Sequence, residues 1–245
     1  VEVAGKPMLE HIIDHAKIEG FEKFIFSVNY LGHMIEDYFG DGSQHGISIE
    51  YIKEEEPLGT AGSISLIEHK IDSPAVVTNG DIITDIRYGE ILDFHCKQDA
   101  IATMAVKVYE QQNPFGVVET DGLEITSLKE KPITCNYINA GVYVISPNAV
   151  KELNKGSYCD MPDLFRKIID LNKKTVVYPM HEPWVDVGRP DDLEKFWMID
   201  KILIVGQGSI GNRHAEISRI IFPSADIRVL KHTKSSQISK HANSS

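Results

Sequence analysis

The spacing of short β-prone runs between helical segments constrains this chain more than any other feature. Pro7 stands where a helix can start, and Met8, Leu9, Ile12, Ile13 and Ala16 recur at helical intervals until Gly20 ends the pattern. The apolar run Phe24-Ile25-Phe26-Ser27-Val28 then reads as a buried strand. A helix over 33–39, a strand over 47–52, a helix over 60–69 and a strand over 75–78 continue the alternation. Strands joined through helices carry helices on both faces, so the expected class is α/β, a Rossmann-like domain with a mixed, mostly parallel sheet.

After a helix near 90–97 the rhythm changes. Strands over 101–108, 116–119, 124–129 and 137–145 lie close together, divided by Asn113-Pro114 and Asp121-Gly122. Asp-Gly between two short β-prone runs signals a hairpin, which mixes antiparallel strands into the sheet. Helices near 148–153 and 162–171, a strand over 175–178 and a helix from Pro190 through Phe196 close the domain. From Ile202 the pattern restarts as a strand, a Gly-rich turn and a second strand over 225–230. The expected organisation is therefore a domain over 1–197, a small C-terminal βαβ fragment over 198–230, and a polar, disordered tail over 231–245.

Charge narrows the partners. The 25 Lys and Arg against 36 Asp and Glu give a net charge of −11, which repels nucleic acid backbones and anionic membranes. Small anionic ligands remain compatible, because a few local donors and a metal ion hold phosphates irrespective of net charge. No apolar run approaches the ~20 residues of a membrane span. Three cysteines without a Cys-x-x-Cys pair suggest neither a zinc site nor a disulfide framework, and the expected compartment is the cytoplasm. A homo-oligomer stays open.

Within this frame a few residues carry chemistry. Asn79-Gly80-Asp81 follows an apolar strand, which puts Asp81 at the carboxyl end of the sheet where open α/β folds bind ligands. Asp186, in Trp184-Val185-Asp186-Val187-Gly188, stands at another strand end. Two carboxylates suit Mg2+, which takes a few protein oxygens together with phosphates and waters. Asn-Gly-Asp alone also fits a plain turn, and Lys131 alone fits a solvated surface lysine. Pro57-Leu58-Gly59-Thr60-Ala61-Gly62 precedes a helix, with glycines that permit close backbone approach to a flat ligand and Thr60 placed to cap.

The acidic run Glu54–Glu56 leading into Pro57–Gly62, then Asn79–Asp81, Asn139-Ala140-Gly141 and Trp184–Gly188, stand in a telling order. From Val1 to about Phe196 the chain resembles sugar-1-phosphate nucleotidyltransferases of the mannose-1-phosphate guanylyltransferase and glucose-1-phosphate thymidylyltransferase group. The resemblance implies formation of a nucleotide sugar and pyrophosphate from a nucleoside triphosphate and a sugar-1-phosphate. It implies Asp81 and Asp186 as Mg2+ ligands and Lys131 as the contact to the sugar phosphate. It also implies that Gly59 and Thr60 cradle the base with Glu54 at its edge, and that Gly116, Glu130 and Asn139 line the sugar pocket. The Thr-Ala-Gly form favours guanine. The family's first strand and Gly-rich loop are not in this sequence, so an N-terminally truncated domain is expected, and the alternative is a non-catalytic nucleotide-sugar-binding module.

Gly206-x-Gly208-x-x-Gly211 between a strand and a helical stretch has the context of a dinucleotide fingerprint. With Asn212-Arg213-His214, it resembles the start of a Gfo/Idh/MocA-type oxidoreductase. Lys231 and His232 stand where an acidic residue would hold a ribose hydroxyl, so any cofactor held by Gly206, Gly208 and Gly211 would be NADP. An NADP-binding oxidoreductase fragment is the third reading.

Overall fold

The computed structural model describes residues 2–3, 5–188, 201–205 and 226–230. In chain order these form β1 (Glu2–Val3), β2 (Lys6–Pro7), α1 (Met8–Ile18), β3 (Lys23–Val28), α2 (Gly32–Phe39), β4 (Ser48–Lys53) and α3 (Gly59–Gly62). Next come β5 (Ala75–Thr78), β6 (Ile82–Thr84), α4 (Tyr88–Gln98), β7 (Ala102–Gln112), β8 (Val117–Asp121), β9 (Glu124–Lys129) and β10 (Ile133–Ile145). Then follow α5 (Pro147–Val150), α6 (Met161–Asp170), β11 (Thr175–Met180), β12 (Trp184–Asp186), β13 (Lys201–Val205) and β14 (Asp226–Leu230). Contacts divide the chain into one unit of Leu9–Trp184 and another of Val1–Met8 with Val185–Ser245.

In the larger unit a four-stranded sheet runs β11-β7-β10-β5. β11 lies parallel to β7, while β10 runs antiparallel to both β7 and β5. Along β10 the side chains alternate faces, and both faces are covered. Val142 and Val144 pack with Ala105, Ile91 and Tyr88 on one side. Tyr143 and Ile145 pack with Leu164, Ile168 and Met161 on the other. All four β10 residues from Val142 to Ile145 are consequently buried, each side chain stabilising the fold by roughly 1.5–3 kcal/mol before conformational entropy is counted. His95 is buried between the hydroxyls of Thr103 and Ser146, 2.8 Å from each, and pins α4 to the sheet; burial lowers its pKa.

The hairpin forms where Asp121-Gly122 signalled it. Asp121 pairs with Glu124, and Gly122, at φ 58°, turns the chain with Leu123. Two other expectations need correction. The helix expected over 60–69 is a single α-turn, Gly59–Gly62, followed by 3-10 turns over Ser63–Lys70 that are broken by a kink at Ile67 (φ −115°). The Ser65 hydroxyl donates to the Gly62 carbonyl at 2.6 Å, competing with the regular helical ladder. The run 24–28, expected as a buried strand, is β3, but only Val28 is buried and Ile25 is 40% exposed. The reason is topological: β3 pairs in parallel with β4 alone, in a two-stranded sheet.

In the smaller unit β1 and β2 pair antiparallel, and β13 pairs in parallel with β14 from Lys201↔Asp226 to Val205↔Leu230. The expected dinucleotide glycines Gly206, Gly208 and Gly211 lie outside the described residues, as does the tail.

Candidate functional site

Three of the sequence signatures meet at one irregularity of β10. Its register with β7 shifts between Asn139 and Tyr143. The bulge is tied locally: Asn139 Oδ1 accepts from the Gly141 amide at 3.0 Å, and Asn139 Nδ2 donates to the Tyr143 hydroxyl at 2.7 Å. Gly141 sits at φ 72°, and a Cβ there would lie 3.1 Å from Asn79 Nδ2, so glycine is required twice over, for backbone angle and for space. From β5 the Asn79 amide donates to the Gly141 carbonyl at 2.9 Å. From the far end of the unit, Trp184 Nε1 donates to the Ala140 carbonyl at 2.8 Å. Segments 44 residues or more apart are thereby fixed on one backbone bulge at the sheet's carboxyl edge.

Asp81 follows this junction. Its side chain is exposed, and among the described residues it has no hydrogen-bond or ionic partner. A free, hard carboxylate at that edge fits a divalent ion whose remaining ligands are phosphate oxygens and water. Asp186 belongs to the other unit, where its Oδ1 accepts from the Gly188 amide at 3.0 Å.

The Pro57–Gly62 turn is held differently from the sequence expectation. Glu54 accepts from the Leu58 amide at 2.8 Å and from the Ser27 hydroxyl, which braces the turn's entrance. Gly59, at φ 76°, makes its close approach to the chain itself, since a Cβ would lie 2.7 Å from the Cys159 carbonyl oxygen. That oxygen accepts from the amides of Ala61 and Gly62 at 2.9 and 3.0 Å. Thr60 does not cap its own helix. Its amide and hydroxyl donate to Asp160 Oδ1 at 3.0 and 3.2 Å, and its oxygen accepts from the Met161 amide at 2.8 Å, so it caps α6. Tyr158 donates to Asp160 Oδ2 at 2.7 Å. The Thr60 amide first, and then the Tyr158 and Thr60 hydroxyls, hold the Asp160 carboxyl below its usual pKa.

Asp160 and Tyr158 were absent from the sequence-based candidates. Asp160-Met161-Pro162 carries a helix-start signal, an Asp cap with Pro in the first turn, but nothing local announces a partner 100 residues upstream.

A third cluster joins the loops flanking the hairpin. The Asn113 amide donates to the Pro132 carbonyl at 3.0 Å, and Asn113 Oδ1 accepts from the Phe115 amide at 3.0 Å. Gly116 faces Glu130, whose Oε2 lies 3.0 Å from where a Cβ would stand. Beside Glu130 the exposed Lys131 holds φ 45°, a left-handed conformation that L-residues adopt at a cost of roughly 1–2 kcal/mol.

Residues 1–201 match the family model described as Nucleotidyl transferase. The mannose-1-phosphate guanyltransferase of Yarrowia lipolytica is 31% identical over 200 residues, covering 78% of this chain and 55% of the relative. The mannose-1-phosphate guanylyltransferase of Mycobacterium tuberculosis is 33% identical over 196 residues, covering 77% and 54%. This chain thus spans about half the length of the curated relatives it matches. Among solved structures, a putative glucose-1-phosphate thymidylyltransferase from Bacillus anthracis, in complex with a sucrose, has the same fold. Its TM-score is 0.61 at 20% identity, with 80% of this chain and 82% of that one covered.

Proposed function

Because the chain belongs to the nucleotidyl transferase family, we propose that it forms a nucleotide sugar and pyrophosphate from a nucleoside triphosphate and a sugar-1-phosphate, with guanine as the base. The observation that carries this reading is the meeting of Asn79, Ala140, Gly141 and Trp184 at one bulge beside the unpartnered Asp81. In the proposed reaction an oxygen of the sugar phosphate attacks the α-phosphorus, the bond to the bridging oxygen breaks, and pyrophosphate leaves with that electron pair. Such transfers depend on positioning and charge neutralisation more than on covalent catalysis. When bound, Mg2+ supplies charge neutralisation at the triphosphate. Asp81 would hold it, with Asp186 as a second carboxylate carried over from the sequence resemblance alone.

Lys131 has the free, strained geometry of a group positioned for a ligand, and it would draw in the sugar phosphate against like-charge repulsion. Gly116, Glu130 and Asn139 would border the sugar. In Asn139 both side-chain ends are already engaged in the bulge, so its role there is to shape the floor. Gly59 and Thr60 would carry the base on a turn that Asp160 keeps rigid, with Glu54 at its entrance. Among the described residues no helix is long and apolar enough to cross a membrane, and the free thiols of Cys96, Cys135 and Cys159 accord with a cytoplasmic setting.

The test is Mg2+-dependent pyrophosphate release from GTP and mannose-1-phosphate. Asp81→Asn is expected to lower it by at least ~100-fold without unfolding the chain, on the scale of losing one charge-stabilising group. Binding of GDP-mannose with no pyrophosphate released by the unmodified chain would instead establish a non-catalytic nucleotide-sugar-binding module.

A further inference from the structure

We infer that Lys107 is a further binding residue of the candidate site, a cation that takes a phosphoryl oxygen of the ligand, in a role that rests on the proposed reaction and adds one group to it. β5 and β7 both run antiparallel to β10, and β11 runs parallel to β7. The carboxyl ends of β5, β7 and β11 therefore point toward one edge of the sheet, outside which open α/β folds bind their ligands. Lys107 stands at that edge. It is the last residue of β7 paired on both sides, to Ile138 of β10 and to Met180 of β11, and Val106 before it pairs with Asn139 of the bulge. The core ends at the same point, since Val106 is buried and every residue from Val108 to Gln112 is exposed. Alternation along β7 puts Lys107 on the face of Ala105, whose cluster Trp184 packs against.

Burial and pairing set this lysine apart. With 36 Asp and Glu against 25 Lys and Arg, acidic partners are plentiful. Lys53, Lys70, Lys129 and Lys173 each hold one, and all four are exposed. Lys107 is half-buried, yet among the described residues it has no carboxylate partner, and its Nζ donates to the Glu182 carbonyl at 2.7 Å. Even the Glu182 carboxylate turns away, accepting from the His181 amide at 2.9 Å. An ammonium has three donors, so two remain open. Among the described residues Lys17 is also half-buried and bonded to a carbonyl, but it lies in the last turn of α1, where the helix dipole favours a cation. A strand offers Lys107 no such field. Removing a cation from water without a counter-charge is costly, and the cost is met where an anion arrives. At the edge beside Asn79, Asn139 and Asp81 the fitting anion is a phosphoryl group, which a lysine binds as a point charge. The bond to Glu182 fixes the ammonium before the ligand comes.

The experiment titrates GTP, mannose-1-phosphate and GDP-mannose separately into the intact chain by calorimetry, over a range of salt concentrations. Lys107→Gln keeps a donor for the Glu182 carbonyl without the charge, and Lys107→Arg keeps the charge. The Gln variant is expected to lose at least ~10-fold in affinity for one or more of the three, the scale of a hydrogen bond to a charged group, and its binding should depend less on salt. The Arg variant should keep the salt dependence. Which ligand loses affinity tells whether the triphosphate or the sugar phosphate is held. Reductive methylation of the unmodified chain, read by peptide mass spectrometry, gives a check that needs no variant to fold: saturating ligand should slow labelling of Lys107 by at least ~10-fold and leave Lys174 unchanged. Undiminished affinity in Lys107→Gln, weaker binding with an unaltered salt dependence, or equal labelling of Lys107 with and without ligand would overturn the inference and leave Lys107 as a pin for the loop ahead of Trp184. Failure of the unmodified chain to bind any of the three would instead reject the proposed reaction, and this role with it.

Discussion

Around Gly59–Gly62 the polar groups are engaged by residues up to 101 positions away, whereas Lys131, in the turn between β9 and β10, stands exposed with its backbone in a costly conformation. The first region is finished before any ligand arrives. Asp160, Tyr158 and the Cys159 carbonyl set its amides and its hydroxyl. The second has its frame fixed by the Asn113–Pro132 bond but leaves the charged residues Glu130 and Lys131 exposed. A rigid turn suits recognition of a flat, invariant group, while an exposed charge on a strained backbone suits capture of a phosphate.

The contrast can be tested by folding stability, taking the largest effect first. Gly59→Val adds a side chain 2.7 Å from the Cys159 carbonyl on a backbone at φ 76°, and urea unfolding is expected to report a loss of about 3 kcal/mol from overpacking and left-handed strain together. Asp160→Ala removes the acceptor of three hydrogen bonds, and the same assay should register about 1–2 kcal/mol. If the turn were held mainly by apolar contacts, Asp160→Ala would leave stability unchanged.

Asp160 also predicts a pH dependence. Its folded pKa is depressed, so its contribution is fully present above the unfolded carboxyl pKa of ~3.9 and is lost as pH falls through the lower, folded value. Denaturation midpoints measured down the acid range should therefore fall less steeply in Asp160→Asn than in the unmodified chain.

In the turn between β9 and β10 the sign reverses. Lys131→Gly relieves the φ 45° strain and should stabilise the fold by about 0.5–1 kcal/mol while weakening sugar-phosphate use. A variant that is less stable and fully active would break the comparison. The smallest stability effect belongs to Asp81→Asn, within about 0.5 kcal/mol, because the carboxylate has no partner among the described residues. Thermal unfolding checks that the loss of pyrophosphate release in this variant is chemical and not structural.

Much of this was legible along the chain. Alternating strands and helices, the Asp121-Gly122 hairpin and the ordered signatures depend on neighbours a few residues apart, which a sequence displays directly. The destination of Thr60 was not legible. Its sequence context offers a helix start a few residues away, but its bonds go to Asp160 and Met161. Nor was the use of Gly59, whose missing Cβ makes room for Cys159. The half-burial of β3 and β5 was hidden for the same reason, since apolar composition records what a strand can bury and not whether a neighbour arrives.

The sequence by itself determined the class of fold, the family and the residue types available for phosphate chemistry, because periodicity and local signatures survive without coordinates. Only the tertiary structure decided that Asn79, Ala140, Gly141 and Trp184 share one bulge and that Asp160 holds Thr60. Each of these is a meeting of polar groups distant along the chain. Hydrogen bonds between such groups are fixed by how the layers pack, and nothing in the residues immediately beside them says which partner packing will bring.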